Sequence, residues 1–110
     1  MKRLIFAVAL SVVTFHCSAY DGNDLYTWAK EYKNDSDGRY VQQGFYMGYV
    51  TASASYTEIQ GRICPPQHTK NEQYFDIVYA YLKDHPATRT DDALIIIEKS
   101  LMEVWPCRKP

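Results

Sequence analysis

Residues 64–107 decide the fold of this chain, and they read CPPQHTKNEQYFDIVYAYLKDHPATRTDDALIIIEKSLMEVWPC. The stretch opens with Cys64-Pro65-Pro66 and closes with Trp105-Pro106-Cys107. A His85-Pro86 break divides it into two runs with apolar periodicity. Proline lacks a backbone N–H and restricts the residue before it, so each of these points interrupts a helix. The pattern predicts two helices held between two cysteines.

Both runs show the spacing of an amphipathic helix, with apolar residues three and four positions apart. Thr69 and Glu72 match a capping box for the first run, and Asp91-Asp92 suits the positive start of the second. The predicted core stripes comprise Phe75, Val78, Tyr79 and Leu82 in the first run, and Leu94, Ile97, Leu101 and Val104 in the second.

The sequence before Cys64 predicts two further helices. One begins after Asp21 or Asn23 and ends at about Lys33, and the other runs from Arg39 to about Ile59. The polar segment between them, Asn34 to Gly38, is typical of a loop. The apolar stripe of the second helix is predicted at Val41, Phe45, Tyr49 and Ala52. With no hairpin signal, the chain is expected to be all-α, a small four-helix bundle-like domain.

Two glycines interrupt the second helix at an unusual spacing. Gly44, Gly48 and Ala52 fall four residues apart, which leaves a strip without bulky side chains. Because glycine costs about 1 kcal/mol relative to alanine in a helix interior, another backbone is expected to come close there. We favour close helix packing within the bundle, and a site for the approach of a ligand is the alternative.

The first nineteen residues are predicted to be a secretory signal peptide, so that residues 20–110 form the domain. Lys2 and Arg3 form its charged start, and Leu4 to Val13 is an apolar segment too short to span a bilayer as a helix. Cleavage is placed after Ala19. The alternative is a lipoprotein acylated at Cys17, although bulky or polar residues precede that cysteine.

Removal of this segment changes the charge and the cysteine count. Loss of Lys2 and Arg3 from the 12 basic residues leaves 10 against 13 acidic ones, a net charge of −3. Such a balance does not favour nucleic acid binding, and no membrane association is expected after cleavage. Cys64 and Cys107 remain, and an even count in an exported small chain favours a disulfide over two buried free thiols.

The sequence contains no recognisable equipment for catalysis. It lacks a glycine-rich phosphate loop and a nucleophile elbow, and His68 and His85 have no partner at the spacing of a metal site. No enzyme, metal or cofactor is therefore expected.

Tyrosine is abundant in this chain, with ten residues after position 19. Those off the main stripes are Tyr40, Tyr46, Tyr56, Tyr74 and Tyr81, and they are either half-buried rings or a partner-binding surface.

Several short motifs in this order resemble the Rap/Tai group, the immunity proteins that protect bacteria from type VI secreted peptidoglycan amidases. The pieces are Gly44 to Val50, Cys64-Pro65-Pro66, Thr69 and Gln73, Asp76-Ile77-Val78, Tyr81-Leu82, His85-Pro86, and Ala93-Leu94 through Leu101 to Trp105-Pro106-Cys107. The resemblance covers about residues 40 to 107. The segment between Cys64 and Thr69 is one residue shorter than in the family, which bears on the choice of partner.

The resemblance implies an all-helical periplasmic domain with a Cys64–Cys107 disulfide. It also implies a non-enzymatic inhibitor, often a homodimer, that occludes the active site of a cognate cell-wall amidase effector. The partner-binding residues are expected in the connection Asp84 to Thr90, with the loop Asn34 to Gly38 as the second choice. The residues assigned to partner binding are His85, Pro86, Arg89, Tyr74 and Tyr81.

Three other functions stay open at the level of sequence. A small periplasmic helical chaperone or stress protein also fits an exported, disulfide-bonded chain, and it would expose apolar surface on a change of pH. A hydrolase and a structural subunit of an envelope complex are the remaining alternatives.

Overall fold

The computed structural model describes residues 20–35 and 38–108 of the chain. Their elements are α1 (Gly22–Lys33), α2 (Tyr40–Ile59), α3 (Asn71–Asp84), a 3₁₀ turn (Pro86–Thr88) and α4 (Ala93–Val104). The predicted all-α, four-helix fold is confirmed, and the described residues contain no strand beyond two isolated bridges. The predicted signal peptide, the alternative acylation at Cys17 and positions 36–37 of the predicted loop lie outside these residues.

Acidic side chains start two of the helices: Asp21, one of the two predicted caps of α1, and Asp92, which the sequence places inside the first turn of α4 but which lies one position before it. The Asp21 carboxylate accepts a hydrogen bond from the Asp24 N–H at 3.0 Å, and the Asp24 carboxylate accepts one from the Asp21 N–H at 3.2 Å. Asp92 accepts from the Leu94 N–H at 2.9 Å at the start of α4. Both caps satisfy backbone donors that a helix leaves unpaired and place negative charge at its positive end.

The predicted capping box at Thr69 and Glu72 is wrong by one residue. Helix α3 begins after Lys70, whose N–H donates to the Gln73 side-chain oxygen at 2.8 Å. The Thr69 hydroxyl instead donates to the Pro66 carbonyl at 2.6 Å, which closes the turn that follows the two prolines. Serine and threonine hydroxyls bond nearby carbonyls in turns as readily as they cap helices.

The disulfide between Cys64 and Cys107 is present, as predicted, with the two Cα atoms 4.9 Å apart. It joins the segment that leads into α3 to the residues that follow α4. The Cys64 N–H also donates to the Trp105 carbonyl at 2.9 Å, and the buried Ile63 pairs with Pro106. A covalent bond, a backbone bond and an apolar anchor therefore close the same end of the bundle.

All four helices contribute to one apolar core. Its members are Leu25 and Ala29 of α1, Tyr46, Val50 and Ala54 of α2, Ile63 before α3, Tyr74, Phe75, Val78 and Leu82 of α3, and Ala93, Ile96, Ile97 and Leu101 of α4. Tyr46 is the largest side chain with no exposed surface, and its hydroxyl donates to the Phe75 carbonyl at 2.5 Å. Its ring forms a three-membered aromatic cluster with those of Tyr32 and Phe75.

The sequence prediction placed the wrong face of α2 inside. Val41 is 74% exposed and Phe45 47% exposed, whereas the buried face carries Tyr46, Val50, Ser53, Ala54 and Thr57. Both faces of α2 are apolar enough to form a core stripe, so periodicity alone does not choose between them. The face with Tyr46 enters the core because its hydroxyl finds a buried acceptor there.

The predicted close packing at Gly44 and Gly48 is also wrong within this chain. A Cβ atom built on either glycine meets nothing within 4 Å, because both lie on the outer side of α2. The glycine that packs closely is Gly22, at the start of α1. A Cβ atom there would approach the Arg89 carbonyl oxygen at 2.7 Å and also collide with the Ile96 side chain.

Burial of Tyr46 predicts a loss of stability at alkaline pH. Burial, reinforced by Tyr32 and Asp76, raises the pKa of its phenol well above the ordinary value of 10.0. The unfolded chain therefore releases this proton first, so the free energy of unfolding falls by about 1.4 kcal/mol per pH unit above pH 10. Urea unfolding across that range measures the slope.

We expect the Tyr46→Phe variant to show a shallower alkaline slope and to lose about 1 kcal/mol near neutral pH. The matched control is Tyr40→Phe, whose ring is exposed and makes no core contact. Equal alkaline slopes in the Tyr46→Phe variant and the unmodified chain would contradict a buried, protonated phenol.

Candidate functional site

The connection between α3 and α4 begins with an ordered aromatic pair. His85 follows the last residue of α3, and its N–H donates to the Tyr81 carbonyl at 3.0 Å. The imidazole stacks on the Tyr81 ring with centroids 4.0 Å apart, and its Nδ1 lies 2.8 Å from the same carbonyl. Pro86 then opens the 3₁₀ turn. These contacts hold the exposed chain from His85 to Ala87 in one conformation.

Arg89 fixes the other end of the connection from inside. Its Nε donates to the Leu82 carbonyl at 2.7 Å, and a second guanidinium nitrogen donates to the Lys83 carbonyl at 3.2 Å. The guanidinium carbon lies 3.9 Å from the centre of the Tyr26 ring on α1. The guanidinium cation interacts favourably with the negative C-terminal end of α3 and with the face of the Tyr26 ring. The structure therefore gives Arg89 a supporting role within the fold.

The start of α1 completes the support of this connection. The N–H groups of Gly22 and Asn23 donate to the carbonyls of Asp91 and Arg89 at 3.0 and 2.9 Å. The Ala93 N–H donates to the Tyr20 carbonyl at 3.0 Å. Because Gly22 has no side chain, the backbone of α1 can lie directly against the residues that lead into α4.

A groove of about 250 Å³ opens beside this connection, between the C-terminal halves of α3 and α4. Ile77, Ala80, Tyr81, Asp84, His85, Ser100, Glu103 and Val104 line it. Burial, followed by the carboxylates of Glu103 and Asp91, raises the pKa of the Tyr81 phenol above its ordinary value. Within residues 20–35 and 38–108, neither Asp84 nor Glu103 forms an ion pair.

Of the residues predicted to bind a partner, the structure brings three together at this end. Tyr81, His85 and Pro86 border the groove and the exposed turn, while the Arg89 side chain lies behind them. Tyr74 lies elsewhere on α3. It is buried against Trp105, with ring centroids 5.1 Å apart, and borders a smaller hollow of about 140 Å³ between α2 and α3.

The groove residues that sequence reasoning missed are Ala80, Ser100, Glu103 and Val104. Val104 was assigned to the core seam, but it is largely exposed at the end of α4. Their positions on the facing sides of two neighbouring helices could be found only once the crossing of α3 and α4 was known.

The described part of the chain holds no group of three or more histidine, cysteine, aspartate or glutamate side chains that could bind a metal ion. Among the same residues, no helix is both long and apolar enough to cross a bilayer. This end of the molecule presents an exposed turn, the stacked pair of Tyr81 and His85, and the two carboxylates of Asp84 and Glu103.

Comparison with known protein families shows which family the chain belongs to. Residues 21–107, which span all four helices and both cysteines, match the family model of the Rap1a immunity proteins. The chain is a member of the Rap1a immunity protein family. Neither the curated proteins nor the solved structures contain a match to it. The resemblance to Rap/Tai immunity proteins is thereby confirmed.

Membership sets the general role of this Rap1a protein. An immunity protein works by binding a cognate secreted effector, and the family therefore implies an inhibitor that acts without catalysis. Inhibition by binding requires a stable contact surface and no reacting group, which agrees with the rigid turn and groove of the α3–α4 end.

Proposed function

We propose that this Rap1a immunity protein acts in the periplasm, where it binds a peptidoglycan amidase delivered by type VI secretion and occludes its active site. The observation that carries the proposal is the exposed turn from His85 to Ala87, held from behind by Arg89 and by the start of α1. The predicted signal peptide supports the location, since it would bring the chain to the compartment in which an amidase meets the cell wall.

Rigidity of the turn favours a tight complex. A flexible loop loses conformational entropy when it enters a cleft, whereas a loop ordered beforehand does not. The His85 ring is fixed by stacking and by the Tyr81 carbonyl, and Pro86 restricts the backbone beside it. A turn of this kind can enter the open cleft of an enzyme with little rearrangement.

The charge around the turn points to a basic surface on the effector. Asp84 and Glu103 border the groove on opposite helices, and neither is neutralised by an ion pair in the described residues. Unpaired carboxylates at the rim of an interface accelerate association with a positively charged partner more than they strengthen the final complex. We therefore expect the association rate with the effector to fall as salt is raised.

The Ala87→Arg variant tests the proposed contact. Ala87 is exposed and lies at the middle of the turn, so an added side chain leaves the fold intact and obstructs the partner. We expect the affinity for a cognate type VI amidase, measured by isothermal titration calorimetry, to fall by more than about tenfold. The variant should also fail to protect cells that produce this amidase in the periplasm.

The matched control is Thr27→Arg, which adds the same charge at an exposed position of α1. It should bind the amidase as the unmodified chain does. Full affinity in the Ala87→Arg variant would show that the turn is not the contact surface. No binding by the unmodified chain would remove the amidase as its target.

A further inference from the structure

The small hollow between the end of α2 and the start of α3 is separate from the α3–α4 groove. It has a volume of about 140 Å³. Apart from one alanine, its lining consists of polar residues, which are Thr51, Ser55, Glu58, Thr69, Asn71 and Tyr74. None of them lines the groove or belongs to the exposed turn from His85 to Ala87. The hollow therefore offers a different chemistry at a different place.

Tyr74 has a buried polar group that lacks a partner in the fold. The residue is only 9% exposed, and its ring packs edge-on against that of Trp105. Its hydroxyl nevertheless forms no hydrogen bond with any of the described residues. A buried phenol normally finds a partner, as Tyr46 does at the Phe75 carbonyl. The hollow is the space in which a partner for the Tyr74 hydroxyl can lie.

The carboxylate of Glu58 gives the hollow its charge. Glu58 lies in the last turn of α2 and forms no ion pair within residues 20–35 and 38–108. Burial, followed by this carboxylate, raises the pKa of the Tyr74 phenol, which places the two groups near each other. The negative end of α2 and the positive start of α3 oppose each other here, so the full charge of Glu58 makes the hollow attractive to a cation.

The polar groups of the lining match an ammonium group with a hydroxyl group beside it. An ammonium group has three N–H donors and no acceptor, so it needs oxygens such as the Glu58 carboxylate and the Tyr74 hydroxyl. The hydroxyls of Thr51 and Ser55 and the amide of Asn71 can each donate and accept, which suits a hydroxyl on the same ligand.

The volume of the hollow limits the size of its occupant. A water molecule takes up roughly 30 Å³ of the liquid, so the hollow has the volume of about five waters. Sites for drug-sized ligands begin at about 300 Å³. A free compound with only a few non-hydrogen atoms therefore fits the hollow whole, whereas a segment of another protein does not.

We propose that the hollow between α2 and α3 binds a small primary amine that carries a hydroxyl group, with the ammonium group between Glu58 and Tyr74. Because the hollow shares no residue with the turn or the groove, the site does not depend on the proposed inhibition of an amidase. The two can be tested separately on the same protein.

Ethanolamine, which is protonated at neutral pH, is the probe that tests the site. Its titration into the isotope-labelled exported protein, at constant pH and ionic strength, is followed by the NMR shifts of the backbone amides. We expect saturable shifts at the hollow residues, with a dissociation constant in the millimolar range. Choline has the same charge without N–H donors, and ethylene glycol has hydroxyls without charge, so neither should give saturable shifts there. An equal response to choline would indicate general ionic attraction and overturn the proposal.

Two variants and a matched control locate the binding. Glu58→Gln should raise the dissociation constant by about fivefold or more, and Tyr74→Phe by about threefold or more. Tyr74→Phe should not lower the melting temperature, because the hydroxyl has no hydrogen bond to lose in the described fold. Glu72→Gln makes the same change as Glu58→Gln at an exposed residue outside the hollow, and it should bind ethanolamine as the unmodified chain does.

Absence of saturable shifts in the unmodified chain would mean that the hollow holds only water, and it would overturn the proposal. Unchanged affinity in the Glu58→Gln variant would do the same. Both variants should inhibit the amidase as well as the unmodified chain does. A chain that binds ethanolamine without inhibiting an amidase would contradict the proposed function alone and would support the site in the hollow.

Discussion

Replacing both Cys64 and Cys107 with alanine is expected to lower the free energy of unfolding by about 4 kcal/mol. The two residues are separated by 43 positions, and the bridge restricts the unfolded chain over that whole length. A domain of this size has a total stability of about 5–15 kcal/mol, so the loss removes a large part of it. Urea unfolding of the double variant and of the oxidised chain, followed by far-ultraviolet circular dichroism, measures the difference.

The loss of stability in the double variant should also be concentrated at one end of the molecule. Without the bridge, the start of the α3 segment is still held to the end of α4 by the pairing of Ile63 with Pro106, the Cys64–Trp105 backbone bond and the contact of Tyr74 with Trp105. Hydrogen exchange should therefore increase first at this end. A change in the free energy of unfolding below about 1 kcal/mol would mean that helix packing alone sets the stability, and it would contradict a major stabilising role for the disulfide.

The Gly22→Ala variant is expected to cost about 2–3 kcal/mol, although it adds only one methyl group. The added Cβ would lie 2.7 Å from the Arg89 carbonyl oxygen and 2.9 Å from its Cα, and it would also press on Ile96. Since backbone atoms cannot rotate away, α1 must shift, and its bonds to Asp91 and Arg89 lengthen. Thermal unfolding measures the cost.

The matched control is Gly44→Ala, which makes the same chemical change where nothing lies within 4 Å. It should raise monomer stability by about 0.5–1 kcal/mol, through helix propensity alone. The Gly22 contact also supports the α3–α4 connection. The affinity of the Gly22→Ala variant for the effector should therefore fall by more than partial unfolding of the variant explains. Equal stability in the two variants would contradict the close approach at Gly22.

The elements that sequence predicted well are those with local signals. The cap at Asp21, the His85-Pro86 break and the stop before Pro106 depend on a few neighbouring residues. The disulfide followed from the number of cysteines and the expected export, and from the family resemblance. Each of these needs no knowledge of how the helices cross.

The features that sequence could not predict depend on contacts between distant residues. The sequence predicts Arg89 as a partner contact but gives no sign that its guanidinium stacks on Tyr26, which lies on another helix. The sequence around Gly22 gives no sign of its tight contact, because that contact is with the distant α3–α4 connection. The face of α2 was misassigned because both faces are apolar, and only the buried acceptor for the Tyr46 hydroxyl distinguishes them.

Titration of a cognate type VI amidase with the purified chain, with peptidoglycan as substrate, tests the proposed inhibition most directly. Release of cell-wall peptide should fall in proportion to added protein and stop at one immunity chain per enzyme, while the Ala87→Arg variant should leave the amidase active. Full turnover by the amidase in the presence of an excess of the unmodified chain would contradict the proposed inhibition.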